Sequence, residues 1–388
     1  MLNRNEYAAR LSRLRDALAA KGLDAALAVW PIDVYYFSGT RQNAVFFVPV
    51  DGEPLLLVRK SLERARRESP VADIRPFPSS KEFALQFPRS YTSIGLTFDV
   101  LPVQQLNYYS KLFPDTEFID ISQTNREIRS VKSAFELEEL RYSGRRLSEV
   151  FLQVPEFLRP GMREIDVAAE FEYRLRKAQC EGYVRMRAFN QELFGGLAVA
   201  SGGVQNGYFD GAVTGKGLFP SFPQGSSLDE IADNEPILLD YTGVFHGYIT
   251  DMTRMFAFGD LDAELLDAFA LALEIQEQVR KSLTPGTVCE ELFALAASLA
   301  EKGGFGGCFM GMPGEQARFV GHGVGLELDE YPVLAQGMKL PLQVGNVIAV
   351  EPKFVIPGKG AIGIENTFAV TADGGEKLTD IDDGIVFL

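Results

Sequence analysis

Two pairs of acidic residues lie in segments that are predicted to fold as β-hairpins. Asp240 and Asp251 flank the turn sequence GVFHG and are surrounded by apolar, strand-like residues. They are 11 positions apart (251 − 240), so the midpoint between them falls between Phe245 and His246. A hairpin folded there would place the two carboxylates directly opposite each other, with Cβ atoms roughly 4.5–5.5 Å apart. Facing like charges destabilise a hairpin, so a shared cation is expected.

The same arrangement recurs later in the sequence. Glu351 and Glu365 are 14 positions apart (365 − 351), and their midpoint is Gly358 in the turn-forming run IPGKG. His322, one of only two histidines, lies in the segment GHGVG between the two acidic pairs. The sequence therefore predicts a metal site whose ligands are Asp240, Asp251, His322, Glu351 and Glu365.

The charge of this ligand set favours two ions. Four carboxylates carry a charge of −4, which two divalent cations would balance, with neutral His322 completing the set. Without cations, the carboxylates would have to take up protons or separate. Oxygen-rich ligands with a single imidazole suit manganese, cobalt or iron, and zinc less specifically. Two ions roughly 3.5–4 Å apart can hold a bridging water, lower its pKa and polarise a carbonyl group, so we expect a hydrolase.

Composition narrows the class of protein. A net charge of −15 repels a phosphate backbone, so we expect no nucleic-acid partner. No apolar run is long enough to span a bilayer, and the first residues are polar and helical rather than a secretion signal. Three cysteines without close pairing (Cys180, Cys289 and Cys308) indicate reduced thiols and a cytoplasmic location.

The elements that must position the acids fall into two predicted domains. In the first, a helix from about Glu6 to Gly22 precedes the strand AALAV, and Asp51-Gly52 joins two apolar strands in a hairpin. The segment SIGLTFD predicts a further strand, and the α/β unit ends near residue 124. A capping box of Ser133 and Glu136 begins a long helix. We therefore expect domains at 1–124 and 125–388.

The second domain shows a faint internal duplication. LRPGMREIDVAAEFEYRLRKAQCEG and LTPGTVCEELFALAASLAEKGG both place a Pro-Gly turn before an amphipathic helix that is closed by glycine. The pattern favours two related halves packed around one sheet, although Pro-Gly before a helix also arises by chance.

These residues resemble the creatinase, prolidase and methionine aminopeptidase family, whose catalytic domain has the pita-bread fold. The family pattern has aspartates in LLDYTG and GYITDMTR, a histidine in GHGVG, and glutamates in AVEP and GIENT. The stretch FSGTRQNAVFFVPVDGEPLLLVRK resembles the creatinase-type N-terminal domain. The resemblance implies an α+β protein of two domains. One is a smaller α/β creatinase-like N-terminal domain, and the other is a pseudo-two-fold pita-bread C-terminal domain with a curved antiparallel sheet flanked by helices. It also implies two metal ions, a homodimer, and Glu351 as both ligand and candidate general base.

The sequence departs from the family's peptidases at three positions. Asp329 stands where these peptidases usually carry a second histidine. The place of another usual histidine falls at about Phe209, with Tyr208 and Asp210 beside it, and Gly363 stands where prolidases often have an arginine. Asp329 would be a poor proton donor near two cations, but it could bind a cationic group on a substrate or hydrogen-bond its own loop. Tyr208 and Phe209 could line an apolar specificity pocket or simply pack. His246, roughly 16 Å along a strand from each aspartate, is expected to be an exposed turn residue.

Three functions are compatible with these features. The first is a hydrolase of the Xaa-Pro peptidase type, in which a metal-bound hydroxide attacks the bond before proline in small peptides. The second is a relative that keeps the metals but acts on a non-peptide substrate as a C–N hydrolase or lyase, because both usual histidines are replaced. The third is a metal-binding protein with little catalysis, against which the intact ligand set argues. A small peptide or related molecule is the expected partner, rather than nucleic acid or a membrane.

Overall fold

The computed structural model describes residues 2–88, 90–187, 195–200, 204 and 211–388. The chain divides into two compact units, residues 1–129 and 130–388. Within the described ranges, no helix combines the length and the apolar character needed to cross a membrane.

The first unit is an α/β unit built on one six-stranded sheet. Its elements are α1 (Arg4–Ala20), β1 (Ala25–Ala28), α2 (Pro31–Ser38), β2 (Ala44–Pro49), β3 (Leu55–Val58), α3 (Leu62–Glu68), β4 (Asp73–Pro76), α4 (Ser80–Phe83), β5 (Ser93–Leu96), α5 (Val103–Leu112), β6 (Glu117–Asp120) and α6 (Ser122–Ser130). The strand order is β4-β3-β2-β1-β5-β6. The predicted hairpin is confirmed, because β2 and β3 pair antiparallel on either side of Asp51-Gly52.

Local sequence explains how this unit begins. The Asn3 side chain accepts a hydrogen bond from the Glu6 backbone N–H at 2.8 Å and so caps α1. The leucines at helical spacing in α1 are buried, as their periodicity predicts. Every residue of β1, β2 and β3 is buried. Both faces of these central strands are therefore covered, which is why they read as continuous apolar runs.

The second unit carries the acidic hairpins. Its elements are α7 (Ala134–Phe151), α8 (Val154–Phe157), α9 (Glu164–Lys177), β7 (Gly196–Val199), β8 (Ile237–Phe245), β9 (Tyr248–Ala257), α10 (Ala263–Ser282), α11 (Cys289–Lys302), β10 (Phe319–Val324), β11 (Leu328–Ala335), β12 (Val347–Val350), β13 (Lys353–Ile356), β14 (Gly360–Gly363), β15 (Asn366–Thr371), β16 (Gly374–Lys377) and β17 (Val386–Phe387). The sheets have orders β17-β9-β8-β7, β11-β10-β12-β15-β16 and β13-β14.

Helices flank the sheets of this unit on a repeated plan. The capping box at the start of α7 is confirmed, because Ser133 Oγ accepts from the Glu136 N–H at 3.2 Å and Glu136 Oε2 accepts from the Ser133 N–H at 3.1 Å. Both helices predicted after a Pro-Gly turn are present as α9 and α11. Helices α7 and α9 contact strands β7 to β9, whereas α10 and α11 contact strands of the later hairpins. The predicted two-domain α+β fold is confirmed.

Candidate metal centre

A two-residue turn joins the strands of the first acidic hairpin. His246 and Gly247 have φ angles of +50° and +85°, and Phe245 pairs with Tyr248 across the turn. Positive φ at both central residues is the type I′ geometry that matches the twist of a hairpin. The His246 side chain is 63% exposed, and its Nδ1 lies 2.7 Å from Glu139 Oε2. The expectation of an exposed turn histidine is therefore confirmed.

This turn corrects the predicted register of the hairpin. Asp240 pairs with Thr253 and Asp251 pairs with Thr242, so the predicted direct opposition of the two aspartates is wrong. The turn is centred between residues 246 and 247, one position later than the predicted midpoint. Because the resulting offset is two residues, both aspartates still point to the same face and are diagonal neighbours.

The second hairpin has the predicted centre. Strand β12 pairs with β15, and β13 pairs with β14, in one continuous register about Gly358. Glu351 and Glu365 face each other in the short break between these two ladders. The chain therefore interrupts its backbone pairing at the two positions where the glutamates project.

Backbone pairing brings His322 and both hairpins together. Strand β10 lies between β11 and β12, and His322 pairs with Ala349, two residues before Glu351. Thr253 of the first hairpin and Glu365 of the second exchange backbone hydrogen bonds of 3.3 and 3.4 Å. These contacts explain how residues that are far apart in the sequence reach one point.

Four of the predicted ligands converge, with three acids around the His322 ring. His322 Nε2 lies 3.6 Å from Glu351 Oε1, 3.7 Å from Glu365 Oε1 and 3.9 Å from Asp251 Oδ2. All four side chains are buried. Ligand atoms about 2.0–2.2 Å from one first-row ion lie roughly 3–4 Å from each other, so these separations suit a shared ion.

An unpartnered oxygen supports this fit. Glu365 Oε1 is buried and has no hydrogen-bond partner among the residues that the structure describes. A buried carboxylate oxygen without a donor is costly, whereas a cation beside it removes the cost. Asp251, His322 and Glu365 each offer one ligand atom within 4.8 Å of the others. The residues present therefore fit a divalent ion at this place.

Lys353 is the feature that the sequence analysis missed. Its Nζ donates to Asp240 Oδ2 at 2.7 Å, to Glu351 Oε2 at 2.7 Å and to Glu365 Oε2 at 2.8 Å. The fifth predicted ligand, Asp240, thus contacts a lysine. Lys353 lies two residues after Glu351. Alternate residues of an extended chain project to one face, so this spacing predicts that Lys353 points towards the acids.

The charges of the centre act strongly on one another. Burial raises the pKa of Asp251 well above its usual range and that of Glu351 to about 7. Burial also acts to raise the pKa of Glu365, but the charges of Lys353 and His322 outweigh it and hold that pKa at about 2. The His322 pKa is raised well above its usual value, because Asp329 and the neighbouring glutamates outweigh burial. The carboxylates of the centre therefore need nearby positive charge to remain ionised.

Asp329 contacts the opposite side of the His322 ring. Its Oδ1 lies 3.3 Å from His322 Nδ1, and its side chain is 38% exposed. Asp329 has a φ of +60°, a left-handed conformation that aspartate tolerates better than most residues. Nδ1 also lies 3.4 Å from the Gly323 carbonyl oxygen, and these two contacts leave Nε2 directed at the acids, as in metal sites where a carboxylate or carbonyl orients a ligating histidine.

A cavity of about 290 Å³ opens onto the acids. Its wall includes the apolar side chains of Leu197, Phe319, Leu328 and Val333 together with Asp329. The predicted substrate-binding residues Tyr208 and Phe209 lie outside the described residues. The cavity therefore offers an apolar surface beside charged groups, which is typical of small-molecule sites.

Family models match both parts of the chain. The Creatinase/Prolidase N-terminal domain matches residues 10–131, and metallopeptidase family M24 matches residues 138–372. An Xaa-Pro dipeptidase from Pyrococcus furiosus is 25% identical over 375 residues, which cover 95% of this chain and 97% of that protein. An uncharacterised peptidase from Staphylococcus epidermidis is 24% identical over 380 residues, which cover 96% of this chain and 99% of that protein.

Solved structures share the fold. The Xaa-Pro dipeptidase from Bacillus anthracis superposes with a TM-score of 0.83 at 24% identity. The superposition covers 98% of this chain and 100% of the dipeptidase chain. The X-Pro aminopeptidase from Thermotoga maritima gives 0.79 at 23% identity, with the same coverage. Because the M24 match spans more than half of the sequence and follows directly on the creatinase-type domain, this chain belongs to metallopeptidase family M24.

Proposed function

We propose that this protein is a metal-dependent hydrolase of the Xaa-Pro peptidase type, which cleaves the bond before proline in small peptides. Its family makes the chain a metallohydrolase. The Pyrococcus furiosus relative is an Xaa-Pro dipeptidase, which supports the same substrate class here. The observation that carries the proposal is the convergence of Asp251, His322, Glu351 and Glu365 beside the cavity, with Glu365 Oε1 unpartnered among the described residues.

Each side chain of the centre has a proposed role. Asp251, His322, Glu351 and Glu365 would hold a divalent ion, which when bound supplies Lewis-acid polarisation and lowers the pKa of a water molecule. Glu351 is the proposed proton acceptor, because its buried carboxylate lines the cavity. Asp329 orients His322 from the other ring nitrogen.

The nature of the metal stays a prediction. Manganese, cobalt and iron are favoured over zinc, because three of the four ligands are carboxylates. The count of two ions that the sequence predicted also stays a prediction, and the contacts of Lys353 bear on it directly.

The cavity suits a small peptide. Its volume of about 290 Å³ is close to the lower end of the range for small-ligand sites, roughly 300–1,000 Å³. Apolar side chains such as Phe319 and Val333 would pack against a proline ring, while the acids lie at one end.

Of the three free cysteines, Cys180 and Cys289 are buried, which supports the proposed cytoplasmic location. Assembly as a homodimer is proposed from family resemblance.

A substrate panel tests the proposal. Metal-free protein is loaded separately with Mn²⁺, Co²⁺, Fe²⁺ or Zn²⁺ and incubated with Xaa-Pro dipeptides, Xaa-Pro-Yaa tripeptides and matched Xaa-Ala peptides. We expect slow cleavage confined to bonds before proline, because each missing acid–base histidine typically contributes about 10²–10⁴-fold. Glu351→Gln is the matched inactive control. Metal-loaded protein that cleaves none of these peptides would contradict the proposal and favour the non-peptide alternative.

A further inference from the structure

Lys353 lies in the middle of the acidic residues rather than at their edge. It is the first residue of β13, two positions after Glu351, and its side chain is buried. Its Nζ contacts one oxygen each of Asp240, Glu351 and Glu365, at 2.7, 2.7 and 2.8 Å. A lysine ammonium has three N–H donors, so these three carboxylates use all of them. Lys353 is therefore a fixed internal cation with no donor left for a substrate.

The oxygens that bind Lys353 are the ones that a second metal ion would need. A divalent ion bound by these three oxygens from the same side would overlap the ammonium, because metal–oxygen bonds are about 2.0–2.2 Å. The ion could enter only if the lysine left. Lysine and metal ion thus compete for one place among the acids.

A second place in the same cluster stays open. The other oxygens of Glu351 and Glu365 turn towards His322 Nε2, at 3.6 and 3.7 Å, and Asp251 Oδ2 lies at 3.9 Å. Each glutamate therefore gives one oxygen to Lys353 and directs the other at this open place. The unpartnered Glu365 Oε1 is one of these outward oxygens. The arrangement is that of two cations bridged by two carboxylates, in which one cation belongs to the chain.

The residue opposite Lys353 explains how the lysine fits. Lys353 pairs with Gly363 across the β13–β14 hairpin. A Cβ atom at Gly363 would lie 2.6 Å from Pro352 O and 2.7 Å from Lys353 Cγ. The absence of a side chain at 363 thus leaves the space that the lysine stem uses. Because a side chain at 363 would meet the lysine stem, the glycine and the lysine form a sterically coupled pair.

We infer that Lys353 permanently replaces one of two metal ions, so that this chain binds a single divalent ion at Asp251, His322, Glu351 and Glu365. The inference rests on the proposed metal-dependent function and specifies how the centre is built. Four carboxylates at −4, one lysine at +1 and one divalent ion at +2 leave a net charge of −1, with His322 neutral.

Counting bound Mn²⁺ tests this inference without any activity measurement. The natural chain is stripped of metal, dialysed against Mn²⁺ and measured by elemental analysis, with isothermal titration as a second count. We expect one ion per chain. Lys353→Ala, which empties the lysine's place, should bind two. Lys359→Ala is the matched control, because Lys359 pairs with the surface residues Asp262 and Glu264 and its loss should leave the count at one.

The outcomes separate this inference from the proposed function. Two ions in the natural chain would overturn the inference and leave the proposed function standing. A folded Lys353→Ala protein that still binds one ion would also overturn it. No ion in either protein would overturn the proposed function and the inference together. The count on the natural chain decides the matter even if the variant does not fold.

Discussion

Replacing Asp329 with alanine should weaken metal binding, although Asp329 is not itself a proposed ligand. Its Oδ1 lies 3.3 Å from His322 Nδ1 and restrains the ring that presents Nε2 to the ion. Loss of such an orienting partner typically lowers metal affinity about 10–100-fold. The contact is longer than a strong charge-assisted hydrogen bond, about 2.7–2.9 Å, and the side chain is 38% exposed. We therefore expect the lower end of that range, about tenfold or ~1.4 kcal/mol.

Isothermal titration of metal-free protein with Mn²⁺ measures this effect. Asp329→Asn is the matched control, because it retains an oxygen acceptor at nearly the same place and should lose less affinity than Asp329→Ala. Peptide kinetics on the same proteins distinguish the roles that the sequence left open. An unchanged metal affinity for Asp329→Ala, combined with a raised KM for peptides that carry a free amino group, would refute the orienting role and assign Asp329 to substrate binding.

Three further substitutions probe the surroundings of the centre. Lys353→Met in metal-free protein leaves buried carboxylates without their counter-charge. The free energy of unfolding in urea should therefore fall by about 3–5 kcal/mol, and an unchanged unfolding midpoint would contradict these contacts. Arg254→Met removes donors to the Thr253 and Glu365 carbonyls, at 2.8 and 3.0 Å. This variant should lower the unfolding free energy by about 1–3 kcal/mol and should also lower the affinity for Mn²⁺. Wild-type values of both quantities would exclude a role for Arg254 in positioning Glu365. Gly363→Arg should destabilise by about 1–3 kcal/mol through overpacking. In the double variant with Lys353→Gly, Gly363→Arg should cost less stability than it does alone. Strictly additive losses in the double-mutant cycle would refute the coupling between residues 353 and 363.

The sequence predicted the second hairpin better than the first for a local reason. IPGKG offers one clear turn, and the register about Gly358 follows from it. In GVFHG, the midpoint between the two aspartates lies one position before the centre of the turn. His246-Gly247 adopts a type I′ turn with both φ angles positive, which moves the register by two residues.

Lys353 and Asp329 show where sequence reasoning reached its limit. Lys353 changes the charge balance that the acids and histidine alone predict, and strand alternation two residues after Glu351 points it inwards. The contact of Asp329 with His322 depends on a left-handed backbone conformation at the second residue of β11, where the β10–β11 ladder shifts register. The register shift arises in the pairing of two strands, so the sequence of β11 alone does not reveal it.

Anomalous diffraction from crystals soaked in Mn²⁺ tests the metal centre most directly. We predict one anomalous peak per chain, within about 2.0–2.2 Å of Asp251 Oδ2, His322 Nε2, Glu351 Oε1 and Glu365 Oε1, with the Lys353 ammonium still in contact with the remaining oxygens. An absence of anomalous density among these residues, at a Mn²⁺ concentration that supports peptide cleavage, would contradict the assignment.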